Sequence, residues 1–107
     1  MSWDAAVCGY EWNYTHNTNR MVNAAAEAAG LDLDGKTWFD HLKGRTIYET
    51  RPFLAAIVAE LAAHPDKYRA MNPENGWGSY DSLLPVLWEM RDVRPPPPVS
   101  LVWEVWA

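Results

Sequence analysis

The residues best suited to chemistry lie in one polar run, Tyr10 to Asn19 (YEWNYTHNTN). Within ten residues the run holds three Asn, two Thr, one His and three aromatic side chains, directly before an alanine-rich segment typical of a helix. Amide, hydroxyl and imidazole groups supply hydrogen-bond donors and acceptors, and the first turn of the helix adds unpaired backbone N–H groups. Such a junction suits an anionic or carbonyl-bearing ligand.

A second polar run, Asn72 to Tyr80 (NPENGWGSY), precedes another helical pattern. Gly76 and Gly78 flank Trp77, so the backbone there can adopt positive φ, and Asn75 before Gly76 is a strong turn pair. Because both runs precede helices, short antiparallel packing could bring them to one end of the molecule. We therefore predict one ligand-binding cavity, lined by Asn13, Thr15, His16, Asn17, Asn75, Trp77 and Tyr80.

The same residue types also have a purely structural interpretation. Asn, Thr and Gly ahead of helices commonly serve as caps and turns, so the two runs could lock two loops together through hydrogen bonds. His16 could be a structural histidine within that lock. The cavity and the loop lock are alternatives at this point.

Catalytic and metal-binding signatures are weak. His16, His41 and His64 are far apart in sequence and lack the spacings of zinc ligands. No Gly-x-Ser-x-Gly elbow is present, and Cys8 is better explained as a small buried hydrophobe than as a nucleophile. A proton-transfer role for His16 with Glu11 or Asp81 stays open, but we expect a protein that is not an enzyme and has no cofactor.

Composition narrows the class of protein. A chain of 107 residues with 49% hydrophobic and 21% charged residues suits a single globular domain, 1–107. The net charge is −5 and no basic cluster occurs, so duplex nucleic acid is not an expected partner. With a lone cysteine, no leader-like start and no apolar window of membrane-spanning length, we expect a cytoplasmic protein with no membrane partner.

Periodicity predicts a mostly helical middle between extended ends. Helices are indicated after Thr15 or Asn17, from Thr46 or Thr50 to His64 with Pro52 in the first turn, from Pro65, and after Ser79. The segment Val7–Tyr14 is extended, and Val99–Trp106 follows a proline-rich connector, 94–98, as a strand. Since neither extended segment has another partner, we predict an α+β fold in which they pair beside three or four helices.

The motifs Asn13-x-Thr15-His16-Asn17 and Asn75-Gly76-Trp77-Gly78-x-Tyr80 resemble those of a set of small bacteriophage and bacterial proteins. The resemblance extends through the central helix and the closing strand. It implies a similar fold and an importance of both motifs, and it implies no particular activity. The PPPP connector and the tryptophan-rich end depart from the shared pattern.

Two functions from different classes follow. The first is non-catalytic binding of a small, nucleotide-like molecule, with aromatic faces for stacking and amides for directed hydrogen bonds; a phage protein of this kind could sequester a host signal. The second is a protein–protein interaction module acting on a host protein. Trp103 and Trp106 fall on opposite faces of the last strand, so a partner or a second copy could cover one of them, and we also expect a homo-oligomer.

Overall fold

A β-hairpin at the start of the chain carries half of the candidate site. In the computed structural model, which describes residues 2–94 and 101–107, strands β1 (Ser2–Val7) and β2 (Tyr10–Thr15) pair antiparallel. Cys8 and Gly9 join them with φ of +56° and +82°, and positive φ at both central residues is typical of the type I′ turn. The expected single extended segment Val7–Tyr14 is therefore corrected, because the chain reverses direction within it.

The closing strand completes a small sheet. β3 (Glu104–Trp106) pairs antiparallel with β1 in the strand order β2-β1-β3, with Val105 opposite Ala5. The predicted α+β fold, with terminal segments paired beside helices, is confirmed, although the partner of the last strand is β1 rather than β2. Apart from Arg94, the predicted connector 94–98 lies outside the described residues, as do residues 99 and 100 of the predicted last strand.

Helices fill the middle of the chain as the periodicity predicts. They are α1 (Asn19–Ala28), α2 (Ile47–Ala63), α3 (Pro65–Arg69) and α4 (Tyr80–Asp92), with 3₁₀ turns at His16–Thr18 and Trp38–His41. Within residues 2–94 and 101–107, none of these helices has the length and apolar character needed to cross a membrane.

The central helix begins with a capping box. The Thr46 hydroxyl accepts a hydrogen bond from the Glu49 N–H at 3.2 Å, and the Glu49 carboxylate accepts one from the Thr46 N–H at 3.1 Å. This start places Pro52 at the sixth position of the helix rather than in the first turn, where we expected it. The missing proline N–H therefore leaves the Tyr48 carbonyl without its usual helical donor.

The tryptophans divide between the core and the surface. Trp3, Trp38 and Trp103 are fully buried, and the rings of Trp3 and Trp38 meet edge to face with centroids 5.2 Å apart. The Trp103 indole N–H donates to the Thr50 hydroxyl at 2.9 Å, which satisfies it inside the core. Three others are exposed: Trp77, Trp88 and Trp106. Bulk for the core thus explains part of the tryptophan content, and the exposed part needs another explanation.

Candidate functional site

The two polar runs are in direct contact at Gly78. A Cβ atom placed on this residue would lie 2.6 Å from the Thr15 methyl carbon, 3.0 Å from that of Thr18 and 3.4 Å from the Tyr14 ring. Only a residue without a side chain permits this approach, and φ at Gly78 is +88°, a conformation that glycine adopts without strain. The second run therefore packs against the end of β2 and the turn that follows it.

Hydrogen bonds from Tyr14 hold this contact together. Its hydroxyl accepts from the Ser79 N–H at 3.2 Å and also bonds the Ser82 hydroxyl in the first turn of α4. The Ser79 hydroxyl caps the same helix by accepting from the Ser82 N–H at 3.2 Å. The Tyr80 N–H donates to the Asn72 side chain at 2.8 Å. These bonds form the loop lock considered from the sequence.

A cleft of about 680 Å³ lies beside the lock, and we call it the amide cleft. Its lining consists of Ser2, Asn13, Tyr14, Thr15, Asn17, Asn75 and Trp77. Five of the seven residues predicted from the sequence are in this set. The lock and the cleft are formed largely by different members of the same two runs, so the two interpretations describe neighbouring parts of one structure.

Trp77 is presented to solvent at the cleft. Its side chain is 70% exposed, and its backbone N–H donates to the Asn75 side-chain oxygen at 3.0 Å. The same oxygen accepts from the Asn17 amide at 3.5 Å, which links the two runs across the cleft. The indole therefore offers an open aromatic face on a loop that is tied down on both sides.

The amides around Trp77 keep unused hydrogen-bonding groups. The Asn13 amide nitrogen donates to the Asp4 carboxylate at 2.9 Å, and since a carboxylate can only accept, this bond fixes which way Asn13 points. The Asn75 oxygen is fixed in the same way by the Trp77 N–H, which can only donate. Among the described residues, the side-chain oxygens of Asn13 and Asn17 and the side-chain nitrogen of Asn75 accept or donate no hydrogen bond beyond those already given, so the cleft keeps two amide acceptors and an amide donor.

His16 and Tyr80 do not line the amide cleft, which differs from the expectation. The His16 ring packs against Phe39 with centroids 5.8 Å apart, and its Nε2 is buried without a partner among the described residues. Tyr80 is 3% exposed, and its hydroxyl donates to the Leu61 carbonyl at 2.6 Å. Each ring contacts a residue that is distant in sequence, Phe39 for His16 and Leu61 for Tyr80. The spacing of residues along the chain does not reveal such contacts.

Asp81 is engaged elsewhere and is not poised as a proton acceptor for His16. The Arg69 guanidinium donates to its carboxylate at 2.8 Å, and this hydrogen bond together with the positive charge lowers the pKa of Asp81. Arg69 also lies over the Tyr80 ring, 5.0 Å from its centroid. The ion pair thus anchors the start of α4.

Within residues 2–94 and 101–107, no three His, Cys, Asp or Glu side chains gather as a metal site would require.

Ser2 is a lining residue that the sequence analysis missed. It reaches the cleft because the hairpin register places it directly opposite Thr15. A turn at Cys8 and Gly9 is the only sequence signal that could have shown this, and Cys-Gly is not among the strongly preferred pairs for such turns.

No family model, curated protein or solved structure matches the chain.

Proposed function

We propose that the protein binds a nucleobase-bearing small molecule in the amide cleft, without chemical turnover. The observation that carries the proposal is the Trp77 indole, which is 70% exposed on a loop whose backbone is tied to the Asn75 side chain. A large apolar ring left in water contributes little to folding, whereas an exposed ring on a fixed loop offers a surface on which a base can stack.

The free groups of the cleft complement the edge of a base. The Asn13 oxygen can accept a hydrogen bond and the Asn75 nitrogen can donate one, and bases present neighbouring donors and acceptors along their edges. Stacking on Trp77 would supply affinity, and the two amides would select among bases. Asn17 and Thr15 complete the polar wall of the cleft.

The charge of the cleft favours the base over the phosphates of a nucleotide. Among the residues that the structure describes, no Lys or Arg lines the cleft, and the Asp4 carboxylate accepts a hydrogen bond from Asn13 at 2.9 Å. A phosphate bound here would have no cation to neutralise it. We therefore expect nucleosides to bind at least as well as nucleotides. The resemblance to phage proteins suggests a biological form of this proposal, in which a nucleobase-bearing signal of the host is sequestered in its cytoplasm.

Thermal unfolding with a panel of nucleosides tests the proposal. Adenosine, guanosine, cytidine and uridine are compared with glucose, since a saccharide could also stack on an indole. A ligand at a hundred times its dissociation constant should stabilise the fold by about 2.7 kcal/mol. Trp77→Ala should weaken binding by about 1–3 kcal/mol, while Trp88→Ala, which removes a 45% exposed indole from α4, should leave binding unchanged.

The stability of the variants without ligand can be measured separately from their binding of nucleosides. Because Trp77 is exposed, Trp77→Ala should change the free energy of unfolding by no more than about 0.5 kcal/mol. If no nucleoside shifts the unfolding temperature, or if the shift is as large in Trp77→Ala as in the parent chain, the proposal is wrong. A response to glucose alone would replace the nucleobase with a saccharide.

A second candidate function, protein–protein interaction, is supported by Trp106. Trp103 is buried by its own chain, whereas Trp106 is 49% exposed at the end of β3, an edge strand of the sheet. An exposed indole on an edge strand favours pairing with another chain, and a second copy of this protein is the simplest partner. Light scattering at micromolar concentration should show a dimer that Trp106→Ser dissociates. A 12.2 kDa monomer at all concentrations would remove the argument for self-association.

A further inference from the structure

A second cleft lies at the opposite end of β2, and we call it the aromatic–acidic cleft. It has a volume of about 590 Å³, and its lining consists of Tyr10, Glu11, Trp12, Glu89, Asp92, Val93 and Arg94. It forms where the start of β2 faces the last turn of α4. Its size falls within the range of small-molecule sites, and it shares no lining residue with the amide cleft.

Two aromatic rings form the floor of this cleft. Tyr10 is 49% exposed, and its ring centroid lies 6.2 Å from that of Trp12 with an interplanar angle of 31°. Trp12 is held from both sides, because its ring packs on the buried Trp103 at 5.6 Å and its indole N–H donates to the Glu89 carboxylate at 3.1 Å. The cleft therefore has an aromatic surface with a carboxylate fixed at its edge.

The acidic side chains of the cleft are not all neutralised. Asp92 is paired with Arg91, whose guanidinium donates to it at 2.8 and 3.0 Å. Glu11 and Glu89, in contrast, form no ion pair with any described residue. With Asp92 paired to Arg91, the described lining residues leave two carboxylates, Glu11 and Glu89, against one cation, Arg94. The cleft thus carries net negative charge next to aromatic faces.

The wall contributed by α4 is anchored. Arg51 donates from Nε to the Arg91 carbonyl at 3.2 Å and from Nη2 to the Val93 carbonyl at 2.6 Å, so two of the carbonyls at the end of the helix gain a donor. Glu89 is therefore held relative to Trp12 by two contacts: Arg51 holds the end of α4, and the Trp12 indole on β2 donates to the Glu89 carboxylate.

We propose that the aromatic–acidic cleft binds a quaternary ammonium ion. Such a cation is attracted by the ring faces of Tyr10 and Trp12 and by the charge of Glu89. Because its nitrogen carries no hydrogen, it requires no hydrogen-bond acceptor from the protein. An anion would be repelled by the carboxylates, and a neutral ligand would gain no charge–charge attraction from them. The combination of aromatic rings and carboxylates without an ion pair therefore selects a weakly hydrated organic cation.

Binding of choline to the full chain, measured by calorimetry and by chemical-shift changes, tests the proposal. The matched ligand is 3,3-dimethyl-1-butanol, which has the same shape without the charge, and sodium chloride at equal concentration controls for ionic strength. Choline should bind at least tenfold more tightly than the alcohol. Equal affinity of the two ligands, or a choline response no larger than that of sodium chloride, overturns the proposal.

Variants locate the site. Glu89→Gln removes the charge but keeps an oxygen for the Trp12 N–H, and it should weaken choline binding about 2- to 30-fold, the range of a cation–π and charge contribution. Glu104→Gln on β3 makes the same change in net charge outside the cleft and should have no effect. If both variants bind choline like the parent chain, the cleft is not the site. Trp77→Ala should leave choline binding intact, so failure of nucleoside binding and failure of choline binding are separate results.

Discussion

Replacing Gly78 by alanine tests whether the two polar runs form one structural unit. A Cβ at this position meets the Thr15 methyl carbon at 2.6 Å, a distance that requires something to move. Gly76 is a matched control, because it has a similar φ of +76° but nothing within 4 Å of the added carbon. Both variants suffer the backbone cost of positive φ, and only Gly78→Ala adds a collision between the runs.

The expected magnitudes follow from these two contributions. Holding alanine at positive φ costs about 1–2 kcal/mol, which is the whole expected loss for Gly76→Ala. Inserting a methyl group into a packed contact adds about 1–3 kcal/mol, so Gly78→Ala should lose about 2–5 kcal/mol. Urea unfolding followed by circular dichroism measures both values, and the difference between them reports the contact alone.

A double-mutant cycle identifies the colliding group. Thr15→Ser removes the methyl carbon nearest Gly78 but keeps the hydroxyl that accepts from the Asn17 N–H at 3.2 Å. The Gly78→Ala, Thr15→Ser double variant should therefore recover about 0.5–3 kcal/mol relative to the sum of the single changes. Equal losses for the two glycine variants, or strict additivity in the cycle, would refute direct packing of one run on the other.

Two further predictions concern the core. Thr50→Val leaves the buried Trp103 indole N–H without its acceptor at 2.9 Å, so urea unfolding should show a loss of about 1–3 kcal/mol, and Thr50→Ser, which keeps the hydroxyl, should lose less. Burial, followed by the hydrogen bond to Glu60, raises the pKa of Tyr68 above that of the unfolded chain, which is about 10. The unfolded chain therefore releases this proton first, so stability contributed by Tyr68 is intact below about pH 10 and falls as the pH rises further. Unfolding at several alkaline pH values should show a shallower decline for Tyr68→Phe than for the parent chain, and equal slopes would contradict the assignment.

The parts of the structure predicted from the sequence depend on neighbours close along the chain. Helix α2 begins where Thr46 and Glu49 cap each other, and α4 begins where the Ser79 side chain caps its first turn. The loop around Trp77 was indicated by its flanking glycines and by the other turn-forming residues of the run. Each of these features uses hydrogen bonds or backbone preferences that span only a few residues.

The candidate site was predicted in part for a related reason. Three of the predicted residues are asparagines in runs that precede helices: Asn13, Asn17 and Asn75. Polar side chains at such junctions usually lie at the surface, because burying them without hydrogen-bond partners is costly. His16 and Tyr80 are amphipathic, so the same position along the chain is compatible with either the cleft or the core. Contacts with residues that are distant in sequence place both rings away from the cleft: His16 packs against Phe39, and the Tyr80 hydroxyl donates to the Leu61 carbonyl.

The sequence by itself determined the helical middle, the extended ends and the two polar runs, because periodicity and caps act over one or two turns. Only the tertiary structure decided that the chain reverses at Cys8 and that β3 pairs with β1. It also decided that Trp103 is buried while Trp77 is left in water. Indoles are indistinguishable in sequence, and burial depends on which distant surfaces close over each ring. That outcome is set by the packing of the whole core.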